Sequence, residues 1–246
     1  MGDTTNGHGA NGGASKKETI DVESVTIRFA GDSGDGMQLT GDRFTTASAI
    51  AGNDIRTFPD YPAEIRAPIG TLAGVSAFQI NFSSSDIHTP GDVLDVLVAM
   101  NPAAMKANIA DLKRGGLLIA NTDNFTDKNF QKADIETNPL DDEELKGKYQ
   151  VFEVPITELT RNALSELELQ SNLADRCKNF FALGLMFWMY SRPMEPTIEW
   201  ISQKFGSRTE IVAANTRALE AGYYYGENAE LMANQYLVRE ATYPEG

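Results

Sequence analysis

The chain has one cysteine and two histidines among its 246 residues, no long apolar run, and only 21 Lys and Arg against 35 Asp and Glu. Each shortage excludes something. A single Cys177 forms no intramolecular disulfide and supplies too few thiolates for an iron–sulfur cluster or a structural zinc, so any such centre has to lie on another chain. His8 and His88, far apart in sequence, leave no His cluster for a metal and no evident His-based triad. His88, beside Thr89-Pro90-Gly91, reads as an ordinary loop residue, and Cys177, at the entrance to an apolar helix, reads as packing rather than as a nucleophile. A net charge of −14 argues against a basic footprint for nucleic acid. The N-terminus lacks a hydrophobic signal core, Asn6 stands where myristoylation wants Ser or Thr, and Phe180 to Tyr190 is too short to cross a bilayer. The expected location is therefore cytoplasmic, with no membrane and no nucleic-acid partner.

What is present is enough for a core: 41% hydrophobic residues, with 12 Phe, 8 Tyr and 2 Trp, fit one globular domain or two small ones. Residues 1–15 carry five glycines and no apolar period, which predicts a disordered tail, drawn to residue 18. Val25, Ile27 and Phe29 alternate as a strand does, run into Gly31-Asp32-Ser33-Gly34-Asp35-Gly36, and give way to Met37, Phe44, Ala47 and Ala51 at helical spacing until Gly52. A further strand is expected near Val75 to Phe82. Val93 to Ala99 is a nearly continuous apolar strand, as a sheet covered on both faces requires. Asn101 and Pro102 suit the start of a helix carrying Met105, Ile109 and Leu112 on one face and ending at Gly115-Gly116, before a buried strand at Leu117 to Ala120. Asn121 to Lys148, with Asp141-Asp142-Glu143-Glu144, reads as a solvated excursion rather than a metal site, and a last strand follows at Tyr149 to Val154. The C-terminal third predicts helices capped by Thr157 and running to about Leu167, from Leu173 to Tyr190, between Pro196 and Gly206, and from near Thr209. The second of these is apolar almost all round, which fits either a central core helix or a subunit interface.

Two segments invite chemistry. A glycine turn between a first strand and a helix can bring backbone N–H groups to a phosphate. Gly31, Gly34 and Gly36 give G-x-x-G-x-G rather than the dinucleotide G-x-G-x-x-G, and Asp32 and Asp35 put negative charge where a phosphate would sit. A ligand loop and a tight turn needing unusual φ stay equally open on these residues. In Tyr61-Pro62-Ala63-Glu64-Ile65-Arg66-Ala67-Pro68, Arg66 either grips a carboxylate or phosphate in a bidentate fork or pairs with Glu64. No catalytic residue and no metal ligand set is identified.

Ile27 to Gly36, followed by Pro62 to Pro68 and Gly70-Thr71-Leu72-Ala73-Gly74-Val75-Ser76, resembles the gamma domain of the 2-oxoacid:ferredoxin oxidoreductases. Lys178-Asn179-Phe180-Phe181-Ala182-Leu183-Gly184 and Asn215 to Tyr223 extend the likeness, which covers about Val25 to Asn228. It is most similar to the branch in which this domain precedes the pyrimidine-binding domain of the alpha-type subunit, as in 2-oxoglutarate:ferredoxin oxidoreductase. The acidic Gly-Asp-Ser-Gly-Asp-Gly core and Arg66-Ala67-Pro68 depart from the commoner Gly-Gly-Gln-Gly and Arg-Gly-Gly.

The resemblance implies an α/β fold: a three-layer Rossmann-like domain over 19–240 with a mostly parallel sheet and a helical C-terminal part, then a tail or linker start at 241–246. Tyr243-Pro244-Glu245-Gly246 falls near where a fused relative would continue into its pyrimidine-binding domain. The implied complex decarboxylates a 2-oxoacid on thiamine diphosphate with Mg2+, passes two electrons through [4Fe-4S] clusters to ferredoxin, and transfers the acyl group to coenzyme A. Its implied partners are the pyrimidine-binding alpha-type domain and a thiamine- and cluster-binding beta subunit, with this chain binding none of those cofactors alone. The implied contacts on the coenzyme A side are Gly31, Ser33, Gly34, Asp35, Gly36, Glu64 and Arg66, the turn serving through backbone N–H groups or docking against the catalytic domains. The competing class is an assembly module without ligand contacts; an independent nucleotide-binding oxidoreductase is disfavoured by the glycine spacing.

Overall fold

Alternation along the strands divides the molecule into layers. The computed structural model describes residues 17–61, 74–229 and 234–242. In chain order the elements are β1 (Glu18–Asp21), β2 (Ser24–Asp32), α1 (Met37–Ile50), β3 (Asp54–Asp60), β4 (Val75–Ser83), β5 (Leu94–Ala99), α2 (Pro102–Asn108), β6 (Leu112–Asn121), α3 (Asp127–Lys132), α4 (Glu143–Lys148), β7 (Gln150–Val154), α5 (Ile156–Leu164), α6 (Ser171–Arg176), α7 (Lys178–Met189), α8 (Glu195–Phe205), α9 (Thr209–Asn228) and β8 (Asn234–Leu237). The main sheet runs β3-β4-β2-β5-β6-β7. Its β2/β5, β5/β6 and β6/β7 pairs are parallel, and β4 lies antiparallel to both β2 and β3. Val25, Ile27 and Phe29 of β2, Val96 and Val98 of β5, and Leu117 and Ile119 of β6 face a core shared with α1, α5 and α7. The alternate residues Ala30, Leu97, Ala99, Leu118 and Ala120 face a smaller core with α2. This is the expected three-layer, mostly parallel α/β arrangement, and burial of each large side chain contributes about 1.5–3 kcal/mol.

The apolar helix is a core element: every residue of α7 from Asn179 to Met189 is buried. It lies backbone to backbone against α9. A Cβ on Gly184 would stand 1.9 Å from the Leu219 carbonyl oxygen, and one on Gly222 would stand 1.9 Å from that of Phe181. The two glycines thus form a reciprocal contact that admits no side chain.

Several local expectations change. Asn101 caps α2 as predicted, its Oδ1 accepting the Ala104 N–H at 2.8 Å. The helix nevertheless ends at Asn108, and after a 3₁₀ turn Leu112 already pairs with Leu94. Lys113 to Gly116 form an irregularity in β6 rather than a helix end, because Leu117 next pairs with Val96. Thr157 does not cap α5; its hydroxyl accepts from Asn121 Nδ2 at 3.1 Å, and Pro155 precedes the helix. The predicted helix from Leu173 breaks at Cys177 into α6 and α7. The acidic excursion contains α3 and α4, with Asp142 accepting from the Glu144 N–H as a cap.

The ends of the domain differ as well. Glu18, placed in the tail by composition, starts β1, which pairs in parallel with β8. Lys17 Nζ donates to the Gly226 and Ala229 carbonyls at the end of α9, at 2.6 and 2.7 Å, and sits over the Trp188 ring. Residues 1–16 and 243–246 lie outside the described residues. Ala241 and Thr242, assigned to a tail or linker, donate their N–H groups to Gly52 and Ser84.

Candidate functional site

Parallel strands β2 and β5 are neighbours, yet the helices that leave them pack on opposite faces: α1 enters the larger core and α2 the smaller. The chain therefore splays apart just beyond their carboxyl ends. Such a switch point is where open α/β sheets place their ligands. A cleft of about 390 Å³ lies there, lined among others by Asp32, Ser33, Gly74, Asn101, Asn129 and Lys132.

The glycine turn forms one wall, and its three glycines serve different ends. Gly36 has φ +76° at the start of α1, and a Cβ there would also meet Asn179 Nδ2 at 2.6 Å. Gly31 keeps an ordinary φ but leaves room for Asp35, whose Oδ2 would lie 2.8 Å from a Cβ. Gly34 has neither reason: its φ is ordinary and, among the described residues, a Cβ would meet nothing within 4 Å. Only one of the three thus needs the unusual φ that a plain tight turn would predict.

The two acids of the turn are already engaged. Asp35 Oδ2 accepts the Asp32 N–H at 2.9 Å, while its Oδ1 lies 2.8 Å from Lys178 Nζ. Asp32 Oδ1 accepts from Asn101 Nδ2 at 2.9 Å. The turn is closed by the Asp35 N–H donating to Asp32 O, and the Ser33 N–H donates to Gly74 O at 3.0 Å. Among the described residues the Gly34 N–H finds no protein acceptor. Gly31, Ser33, Gly34, Asp35 and Gly36 are therefore brought together in one turn, which meets the cleft through Asp32 and Ser33, and Gly74 joins it to the end of the second loop. Glu64 and Arg66 lie outside the described residues.

Residues that motif reading passed over complete the site. Asn124 Nδ2 donates to the Met100 carbonyl at 2.8 Å and Asn129 Nδ2 to that of Asn124 at 2.7 Å, so carboxamides hold the strand ends in place. Asn121, at the end of β6, also donates to the Met100 carbonyl at 3.4 Å, and its place after a buried apolar run is the signal that could have marked it. Lys132 is exposed at the rim. Cys177 belongs elsewhere: its Sγ donates to the Leu173 carbonyl, and burial pushes its thiol up to about 11, where it is no nucleophile at neutral pH. His88 stands exposed on a loop, 3.9 Å from Asp86.

Residues 26–225 match the family model of pyruvate ferredoxin/flavodoxin oxidoreductase. The 2-oxoglutarate oxidoreductase subunit KorA of Mycobacterium tuberculosis is 53% identical over 225 residues, which are 92% of this chain and 34% of that protein. The chain thus spans about a third of the length of this curated relative. Among solved structures, the 2-oxoglutarate:ferredoxin oxidoreductase from Magnetococcus marinus with 2-oxoglutarate, coenzyme A and succinyl-CoA bound has a TM-score of 0.67 at 24% identity, over 91% of this chain and 34% of the other. The gamma subunit of a keto/oxoacid ferredoxin oxidoreductase from Geobacter sulfurreducens PCA has a TM-score of 0.54 at 22% identity, over 83% of this chain and 99% of the other. At these identities the two structures establish the fold alone.

Proposed function

Because the chain belongs to the pyruvate ferredoxin/flavodoxin oxidoreductase family, we propose that it is the gamma-type part of a 2-oxoacid:ferredoxin oxidoreductase complex and that its glycine turn serves the coenzyme A side. The reaction takes a 2-oxoacid, coenzyme A and oxidised ferredoxin to acyl-CoA, carbon dioxide and reduced ferredoxin. The mycobacterial relative's name favours 2-oxoglutarate and hence succinyl-CoA. The partners are a pyrimidine-binding alpha-type domain and a beta subunit that carries thiamine diphosphate, Mg2+ and the [4Fe-4S] cluster. This chain's residues do not fit the cluster: its one cysteine is buried with a raised thiol, and among the described residues no three His, Cys, Asp or Glu side chains gather as metal ligands. Its own share of the work is to bind and orient.

One observation carries the assignment. Among the described residues Gly34 bares its backbone for nothing inside this chain, since neither its φ nor any described neighbour forbids a side chain. A backbone left open beside a cleft at a sheet switch point suits a ligand that must come close, with the Gly34 N–H donating outward and Lys132 adding positive charge at the rim. Glu64 and Arg66 are assigned to the same side, Arg66 gripping a carboxylate or phosphate of the acyl-CoA.

Gly34→Val in the assembled complex tests this. The variant is expected to fold and assemble normally, with KM for coenzyme A raised roughly tenfold or more and kcat changed less than about twofold. Unchanged coenzyme A kinetics would return the turn to a structural role. Loss of assembly with normal coenzyme A kinetics in the remaining complex would favour the docking role instead.

A further inference from the structure

The acids of the turn pose a difficulty for any anionic ligand, and the structure holds an answer in a residue 143 positions away in sequence. We propose that Lys178 sets the charge of the cleft: by neutralising Asp35 it makes an acidic turn acceptable to the phosphate-bearing end of coenzyme A. It acts as a positioning and specificity residue without touching the ligand. The inference rests on the coenzyme A reading above and adds a residue to it.

Three observations support it. Lys178 Nζ lies 2.8 Å from Asp35 Oδ1, and the two side chains are only 15% and 11% exposed, so solvent screens this pair far less than a surface pair. Lys178 is also the first residue of α7 and stands two residues past the end of α6, so the positive end of one helix and the negative end of the other oppose each other there. Neither helix end holds the ammonium, and the carboxylate across the gap is its partner. Finally, Asp35 is held at both oxygens, by Lys178 and by the Asp32 N–H, and Asp32 is held by Asn101. A relay from α7 through the turn to the cap of α2 fixes where the negative charge sits, and among the described residues Lys178 is its only cation.

A purely structural ion pair and a charge-setting one differ in the sign of their effects. Removing the ammonium leaves Asp35 uncompensated in the turn that borders the cleft; removing the carboxylate leaves an extra positive charge there. In the assembled complex, Lys178→Met should raise KM for coenzyme A roughly tenfold, more at low salt than at high salt, with kcat changed less than about twofold. Asp35→Asn, which leaves that extra positive charge, should lower the KM roughly twofold or more. Lys178→Arg should stay near wild type, and Asp35→Asn combined with Lys178→Met should recover most of the tenfold loss. The double variant carries no uncompensated buried charge, so it keeps the test open if Lys178→Met alone folds poorly. A double variant as impaired as Lys178→Met, or losses in both single variants of the same sign, would overturn the proposal. If Gly34→Val raises the coenzyme A KM while Lys178→Met does not, the charge-setting role fails alone; if Gly34→Val has no effect, the coenzyme A reading fails and this inference with it.

Discussion

Replacing Gly184 by alanine is the severest small change the fold offers. Elsewhere in a helix interior the substitution stabilises by about 1 kcal/mol, through the higher helix propensity of alanine. Here the new Cβ would lie 1.9 Å from the Leu219 carbonyl oxygen and 2.9 Å from the Tyr223 nitrogen, against a practical limit of 3.0 Å. The contacts are backbone, so no side chain can turn aside, and α7 must move from α9 by about 1 Å. A radial gap of about 0.5–1 Å forfeits a quarter to a half of each dispersion contact. The separation would loosen a seam that includes Phe181 against Tyr225, whose ring centroids are 5.8 Å apart. Overpacking of this kind costs about 1–3 kcal/mol and sometimes more. With backbone on both sides, we expect a net loss of about 3 kcal/mol, or roughly 6–12 °C in Tm for a domain of this size. Urea unfolding of Gly184→Ala, with Gly34→Ala as the control, measures it. Gly34→Ala should stay within about 0.5 kcal/mol of the parent. A Gly184 variant equally close to the parent would refute the argument from backbone contact.

Three further outcomes are expected. Burial both raises the Cys177 thiol to about 11 and shields it, so iodoacetamide at pH 8 should alkylate the native chain at least roughly a hundredfold more slowly than the urea-unfolded chain, as mass spectrometry would show. Asn101→Ala removes both the cap of α2 and the bond to Asp32, and should cost about 1–2 kcal/mol in urea unfolding; a loss below about 0.3 kcal/mol would deny it the capping role. Arg66→Ala in the assembled complex should lower kcat/KM for coenzyme A by roughly tenfold to a hundredfold with folding intact, and Arg66→Lys should recover only part of that; an unchanged coenzyme A response would leave Arg66 with the local Glu64 pair.

The elements that strong patterns describe were legible before any coordinates. The β2-turn-α1 unit, the capped start of α2, and α8 between Pro196 and Gly206 lie where periodicity and capping put them. The strand β3 was not, because Asp54-Ile55-Arg56-Thr57-Phe58-Pro59-Asp60 lies at a sheet edge, largely exposed, and carries a proline and charges instead of alternation. The short strands β1 and β8 depend on each other, and four residues without a long apolar run give no signal alone. In the candidate site, the glycines announced a turn but not which of them the fold itself requires. That distinction needs the positions of Asn179, Asp35 and Met100 around them. The Asp35 to Lys178 pair joins two remote segments, and a single sequence holds no trace of such a match.

The pairing of Glu18 with Asn234 has a consequence for how the molecule is made. The first described strand has no place in the main sheet, and its partner lies about 216 positions later in the sequence. While the ribosome is still extending the chain, the β2-to-β7 sheet can condense from mostly nearer segments, but β1 must wait with an unpaired edge. Closure of the domain is therefore a late, long-range event of the sort that slows folding and exposes strands to stray association. On this view the last turn of α9, gripped by Lys17 and followed by β8, acts as a latch that the nascent protein can throw only after Leu237 has emerged.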